Sequence, residues 1–461
     1  MPWTTRLQGK HYTFFSVKEV LAKASEEKSG DVFAKIAAES NEERIAAKRV
    51  LAELTLKDLR ENPVIPYEED EVTRVIDDGL CKGVYNSICH MTVAEFREWL
   101  LSHQTTGEDI RRVSAGLTGE MASAVAKLMS NMDLVYAASK IRVVTRNRTE
   151  IGHPGTLSFR IQPNHPSDSV EGILASVMEG LSYGSGDAVI GVNPNEDTVE
   201  NTIKLLNATY DFIMEWAIPT QNCVLSHVTT QMKAVEKGGK ACMFFQSIAG
   251  SESCNKIFGV SASILDEALD LIKREGYAAG PNLMYFETGQ GSELSLEAHH
   301  GADMQTLEAR TYGFARRYMP FMVNNVSGFI GPETLYDGKQ IIRASLEDHF
   351  MGKLLGLPMG MAPCYTNHVK VDQNDQENAI MLLAMAGANY YMGVPGNDDC
   401  MLSYQDTSYH DDATLRELLN LRPAPEFEKW LEAMGIMRDG KLTEIAGDPS
   451  LFSKITPPGR R

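Results

Sequence analysis

The stretch Leu157-Ser158-Phe159-Arg160-Ile161-Gln162 decides the fold. Successive side chains of a strand point to opposite faces, so Leu157, Phe159 and Ile161 share one face and Ser158, Arg160 and Gln162 the other. The apolar face suits a covering layer of helices. Arg160 and Gln162 then point into the interior. A guanidinium buried there costs roughly several kcal/mol unless a carboxylate or an anionic ligand pairs with it. This strand therefore predicts a sheet with a polar site inside it.

Seven further short apolar runs follow, each closed by Gly, Pro, Asn or polar residues: Ala188–Asn193, Cys223–Val228, Cys242–Ser247, Leu283–Glu287, Phe321–Val326, Leu357–Met361 and Asn389–Val394. Most are separated by about 20 to 35 residues with helical periodicity, as in Val170–Tyr183 and Asp375–Ala386. The third connection is shorter, with about a dozen residues between Val228 and Cys242. Strand–helix alternation implies a parallel sheet, and eight strands in the 240 residues from Leu157 to Gly396 match a (β/α)8 TIM barrel. An open doubly wound sheet competes, but no Gly-x-Gly-x-x-Gly follows the first strand.

Outside the barrel the texture is helical. Residues 1–150 read as a helical N-terminal region, 151–400 as the catalytic barrel and 401–461 as a helical extension. Thr92 and Glu95 form a capping-box pattern ahead of Phe96 and Leu100. Gly119–Lys140, rich in Ala and Met, predicts a buried helix. Asn62-Pro63 and Ile65-Pro66 break the region, and the end, residues 457–461, should fray.

Across the 461 residues, 44 Lys and Arg face 62 Asp and Glu, a net charge of −18 that argues against a nucleic-acid partner. No run of 18 apolar residues and no signal-peptide core is present, so neither a membrane span nor export is expected. Seven scattered cysteines without a Cys-x-x-Cys pair suggest free thiols in a reducing cytoplasm.

A barrel keeps its chemistry at the carboxyl ends of its strands. Arg160 and Gln162 end the first strand there, Asn193 the second and Glu287 the fifth, beside the flexible Thr288-Gly289-Gln290-Gly291-Ser292 turn. Arg160 and Glu287 alone could be a structural ion pair. Four polar groups at three strand ends suit a small polar substrate better: Glu287 can hold an ammonium or accept a hydroxyl proton, and Arg160, Gln162 and Asn193 can donate to oxygens. No His-x-x-x-His or His-Glu-x-x-His is present, so no metal site is expected. Gly-x-Ser-x-Gly is absent, and none of the eight runs contains a lysine for a Schiff base. Glu347-Asp348-His349-Phe350-Met351-Gly352 approaches an Asp-x-His-x-x-Gly cobalamin motif but lies in a helical stretch and reads as a coincidence. The residues give a barrel enzyme for a small polar molecule, not its reaction.

The same residues carry a resemblance. Gly152-His153-Pro154-Gly155-Thr156-Leu157-Ser158-Phe159-Arg160-Ile161-Gln162-Pro163-Asn164, Gly186-Asp187-Ala188-Val189-Ile190-Gly191-Val192-Asn193-Pro194 and Tyr285-Phe286-Glu287-Thr288-Gly289-Gln290-Gly291-Ser292 resemble signatures of the ethanolamine ammonia-lyase large subunit family. So do Gly328-Phe329-Ile330-Gly331-Pro332-Glu333, Glu347 to Lys353, Tyr365-Thr366-Asn367-His368 and Leu418-Leu419-Asn420-Leu421-Arg422-Pro423. The resemblance implies a (β/α)8 barrel paired with a small subunit, in a trimer of heterotetramers. It implies base-on adenosylcobalamin bound between the two subunits. It further implies radical conversion of a vicinal amino alcohol to an aldehyde and ammonia, in the cytoplasm or a bacterial microcompartment. Carried over, Arg160, Asn193 and Glu287 hold the substrate hydroxyl, and Gln162 and Glu287 the amine. Phe329, Met392, Leu402 and Tyr404 resemble the cavity wall, and Ser247, Phe258 and Val326 positions near the adenosyl group.

One departure bears on the substrate. Where the family has Cys-Asp-x-Cys, its Asp binding the ammonium, this chain reads Met361-Ala362-Pro363-Cys364, with Pro363 expected to stiffen a turn. Ser327 and Gly396-Asn397 also depart from the family pattern. Two readings follow: a paralogue for a different amino alcohol, or an ethanolamine enzyme with a carboxylate placed elsewhere. A non-catalytic assembly protein is a third, opposed by the retained polar quartet.

Overall fold

Every apolar run named above overlaps a strand. They are β1 (Ser158–Ile161), β2 (Val189–Val192), β3 (Asn222–Val224), β4 (Phe244–Ser247), β5 (Met284–Thr288), β6 (Met322–Gly328), β7 (Met359–Thr366) and β8 (Tyr390–Gly393). The computed structural model describes residues 2–454 and 457; the fray expected over 457–461 therefore lies, apart from Pro457, outside the described residues. The strands pair in parallel in the order β3-β2-β1-β8-β7-β6-β5-β4, so each lies beside its neighbour in the chain. The ring closes between β3 and β4 without a ladder, where the Cys242 amide donates to the Asn222 carbonyl at 3.4 Å and to its side-chain Oδ1 at 3.2 Å. This is a (β/α)8 barrel.

Several boundaries differ from the sequence reading. Val228 belongs to a helix, Val228–Glu236, because the His227 side chain caps it by accepting from the Thr229 amide. Nine helical residues fill the short third connection. The run ending at Met361 continues to Thr366, so Pro363 lies inside β7 rather than in a turn. It is tolerated because the β6–β7 register slips between Val326 and Gly328, and a bulge has no ladder bond for proline to break. Gly119–Lys140 is two helices, Gly119–Lys127 and Asn131–Lys140. Ser130 starts the second through a reciprocal cap with Asp133, a polar start signal inside the apolar run. The Thr92–Glu95 capping box forms as expected. An antiparallel hairpin, Trp3–Leu7 with Lys10–Phe14, precedes the first helix and was not anticipated.

The barrel interior is plugged toward its amino end by Val189, Cys223, Met243, Phe245, Tyr285, Met322 and Tyr390. A second apolar layer, between strands and helices, runs on without a break into the N-terminal helices. Buried ion pairs stitch the same boundary: Lys28–Glu347 at 2.8 Å, Lys127–Asp303 at 2.6 Å, and Arg310 with Asp70 at 2.7 Å and Glu120 at 2.6 Å. Glu347 and His349 both lie on the helix Gly338–Leu354, and His349 is fully buried. The motif-like stretch there is part of the packing between helices. Among the described residues no helix is long and apolar enough to cross a membrane, and no group of three or more His, Cys, Asp and Glu could hold a metal ion.

Candidate active site

Strand pleating delivers Arg160 to the barrel axis just above the apolar plug. Its side chain is fully buried. Gly191 on β2 makes room for it, since a Cβ there would lie 3.0 Å from the Arg160 Nε. The guanidinium donates to the Tyr285 hydroxyl at 2.5 Å, Gln162 Oε1 at 2.5 Å and Met392 Sδ at 3.3 Å. Glu287 Oε1 is 3.8 Å away, too far for a direct hydrogen bond, and Arg160 Nε has no partner among the described residues. Burial works against the Arg160 charge, but Tyr285 and Glu287 outweigh it and hold the group protonated beyond its usual range.

Glu287 shares its level with Ser247 on β4 and Asn324 on β6, its ladder partners on either side. Asn324 Nδ2 donates to Glu287 Oε1 at 3.1 Å, and the Tyr285 hydroxyl reaches the same oxygen at 3.5 Å. Both donors meet Oε1, which leaves Oε2 to the cavity; the side chain keeps 23% of its surface exposed. Burial raises the carboxyl above its ordinary range, while Arg160, Asn324 and Tyr285 pull it back in part. Such a group is responsive to a cation or a hydroxyl brought by a ligand.

Most of the remaining expected residues gather around this pair; among the described residues, Asn193 touches it through none of its contacts. Gln162 Nε2 donates to Asp399 Oδ2 at 2.7 Å and to the Tyr404 hydroxyl at 2.8 Å. Asn193 sits just past β2, where its amide donates to Asn164 Oδ1 at 2.9 Å. Ala362, Cys364, Met392 and Tyr404 pack together with Val326 and Leu402 against them. Phe329, 44% exposed, meets Tyr404 edge-on with ring centroids 5.4 Å apart. A cavity of about 500 Å³ opens at the mouth, and Glu287, Phe329 and all three of Ser247, Phe258 and Val326 line it. Its other walls include Phe245, Ile248, Leu296 and Ile330, with the hydroxyl residues Ser292 and Ser295. Flat apolar faces interleaved with hydroxyls fit a nucleoside-sized group. A larger cleft, about 830 Å³, lies among the N-terminal helices away from every strand end, and its arginines, Arg60 and Arg310, are already paired.

The sequence reading missed four residues. Tyr285 lies two before Glu287 on the same strand face, so alternation could have found it. Asn324 is likewise two before Val326 on β6. Asp399 takes Gln162 and Asn164 on one oxygen, at 2.7 and 2.6 Å, and the amides of Met401 and Leu402 on the other. It lies in an irregular loop after β8, where no periodicity marks it, as does Asp406 further on.

Comparison with known proteins identifies the family. Residues 12–445 match the model of the family described as ethanolamine ammonia lyase large subunit. The ethanolamine ammonia-lyase large subunit of Salmonella typhimurium strain LT2 is 56% identical over 452 residues, covering 98% of this chain and 100% of that protein. The protein of the same name from Escherichia coli strain K12 matches with the same identity and coverage.

Proposed function

The chain belongs to the family of ethanolamine ammonia-lyase large subunits, which are carbon–nitrogen lyases, and from that premise we propose that it converts ethanolamine or a close vicinal amino alcohol to an aldehyde and ammonia with adenosylcobalamin. The observation that carries the proposal is the junction of two sites. Glu287, 3.8 Å from the buried Arg160 guanidinium whose Nε is unpaired among the described residues, lines the cavity of Ser247, Phe258 and Val326.

In this reading Ser247, Phe258 and Val326 would hold the adenosyl part of the cofactor, which a small subunit would share. When bound, adenosylcobalamin supplies the hydrogen-abstracting radical chemistry. The chain's own residues do the rest. Arg160 and Asn193 donate to the substrate hydroxyl oxygen, and Glu287 accepts its proton as charge develops there. Gln162 and Glu287 face the amine. Met392, Leu402, Tyr404 and Phe329 wall the space and exclude water, which strengthens every charge interaction inside. The division into a helical region 1–150, a catalytic barrel 151–400 and a helical extension 401–461 belongs to the same reading. So do a trimer of heterotetramers with the small subunit and a place in the cytoplasm or a bacterial microcompartment.

The test is co-production with the small subunit and measurement of adenosylcobalamin-dependent aldehyde release from ethanolamine, 2-aminopropan-1-ol and 1-aminopropan-2-ol. Release from any of the three is expected and names the substrate. Cofactor binding without release from any of them would overturn the proposal.

A further inference from the structure

Ala362 leaves the substrate ammonium without the carboxylate that the family places there, and the fold offers another one close by. Tyr404–Gln405 forms a short strand, β9, antiparallel to β7, with Tyr404 opposite Thr366 and Gln405 opposite Tyr365. One step along that register sets Asp406 opposite Cys364. Residues two apart share a face, so Asp406 follows Tyr404 onto the face of Cys364 and Ala362, which is the face that packs against Met392 and Leu402. Met392 in turn touches the Arg160 guanidinium.

Asp406 is fully buried. Its Oδ1 is held by the Thr407 amide at 2.8 Å and the Thr407 hydroxyl at 3.2 Å. Its Oδ2 is buried with no hydrogen-bond partner among the described residues. The Asp406 amide donates to the Asn397 carbonyl at 3.0 Å, and the Thr407 hydroxyl also donates to the Met392 carbonyl, so the side chain is fixed from both flanks. A buried carboxyl oxygen without a donor is costly to maintain and calls for a bound donor. Burial pushes the carboxyl well above its ordinary range, with Thr407 and the nearby Arg160 opposing. A cationic donor seated beside it is what would return it to the anion.

We propose that Asp406 supplies the carboxylate missing at Ala362 and binds the ammonium of the amino-alcohol substrate through Oδ2. The proposal rests on the reading of the site given above. It makes the chain selective for a protonated amine by a carboxylate reached from the β9 side of the pocket rather than from β7. Asp399 is a poorer candidate because Gln162, Asn164 and two backbone amides already occupy both its oxygens.

The test compares ethanolamine with its neutral isostere ethane-1,2-diol on the full chain in complex with the small subunit. Equilibrium binding is measured without cofactor, and competition in aldehyde release with it. The parent should prefer ethanolamine. Asp406→Asn should weaken ethanolamine about 10- to 100-fold, the worth of a hydrogen bond to a charged group, and leave the diol and adenosylcobalamin affinities unchanged. Adding Ala362→Asp to Asp406→Asn should restore the preference, which also shows that the variant is folded. An unchanged ethanolamine-to-diol ratio in Asp406→Asn, or no preference in the parent, would overturn the proposal. Should the parent bind ethanolamine selectively but release no aldehyde, the reaction assigned above falls, while the binding ratio still decides the role of Asp406.

Discussion

Two arginines in this molecule are equally buried and oppositely employed. Arg310, between the N-terminal helices and the barrel, has Asp70 at 2.7 Å, Glu120 at 2.6 Å, the Thr73 hydroxyl at 2.8 Å and the Gly250 carbonyl at 2.9 Å. Arg160, at the barrel mouth, has only neutral groups in contact, its carboxylate 3.8 Å away and its Nε unpaired. Burial alone therefore does not identify a functional charge. What separates the two is whether the protein has satisfied the charge itself or left capacity for something that arrives.

The largest effect expected from that contrast is on stability. Arg310→Met strands two buried carboxylates and should cost about 3–5 kcal/mol, read as a lower denaturant midpoint or a loss of folded protein. Arg160→Met strands no carboxylate in direct contact but leaves the Tyr285 hydroxyl and Gln162 Oε1 without their donor, so it should cost about 1–3 kcal/mol, less than Arg310→Met, while aldehyde release falls by at least about a hundredfold. Equal midpoints for the two variants would break the comparison.

Acid should act on the paired boundary next. Glu347 sits between Lys28 at 2.8 Å and Arg343 at 2.6 Å. Burial raises its carboxyl, but these cations outweigh burial and bring it down to about 2 from the ordinary 4.5. A lowered folded-state value means that its contribution, on the order of 3 kcal/mol, is full above about pH 4.5 and lost as pH falls toward 2. Urea midpoints taken from pH 6 downward should fall steeply in the parent and more gently in Glu347→Gln. Parallel slopes would remove the pairing from the account.

The smallest effect tests the support of the open site. Asp399 anchors Gln162 and Asn164, so Asp399→Asn should lower kcat/KM for the amino alcohol by about 1.5–3 kcal/mol, one to two decades. Adenosylcobalamin affinity should not move, because the residues lining the about 500 Å³ cavity do not include Asp399. A parallel loss of cofactor affinity would make Asp399 a general structural residue.

The barrel was readable because eight apolar runs alternate with helical periods, and periodicity is a local property. Arg160, Gln162, Asn193 and Glu287 were readable because pleating and strand ends assign a face and a level. Glu287 lies within β5 and Asn193 just beyond β2. Pro363 misled because it suggests a turn, and only the neighbouring strand reveals the bulge that accommodates it. The Gly119–Lys140 break was hidden by composition, since Ser130 caps a helix in the middle of an apolar stretch. Asp399 and Asp406 were out of reach for a different reason. Their partners come from elements more than two hundred residues earlier, or from a strand pairing that no local pattern announces.

The ion pairs that join the N-terminal helices to the barrel also set a timetable for synthesis. Asp70 and Arg310 lie 240 residues apart. At translation rates of ~5–20 residues per second, about 12 to 48 s pass between the synthesis of Asp70 and that of its guanidinium partner. Until their counterparts are made, Asp70, Glu120, Lys28 and Lys127 are charges for which water is the cheapest place. The N-terminal helices can therefore be sealed onto the barrel only after the helices carrying Asp303, Arg310 and Glu347 have been made.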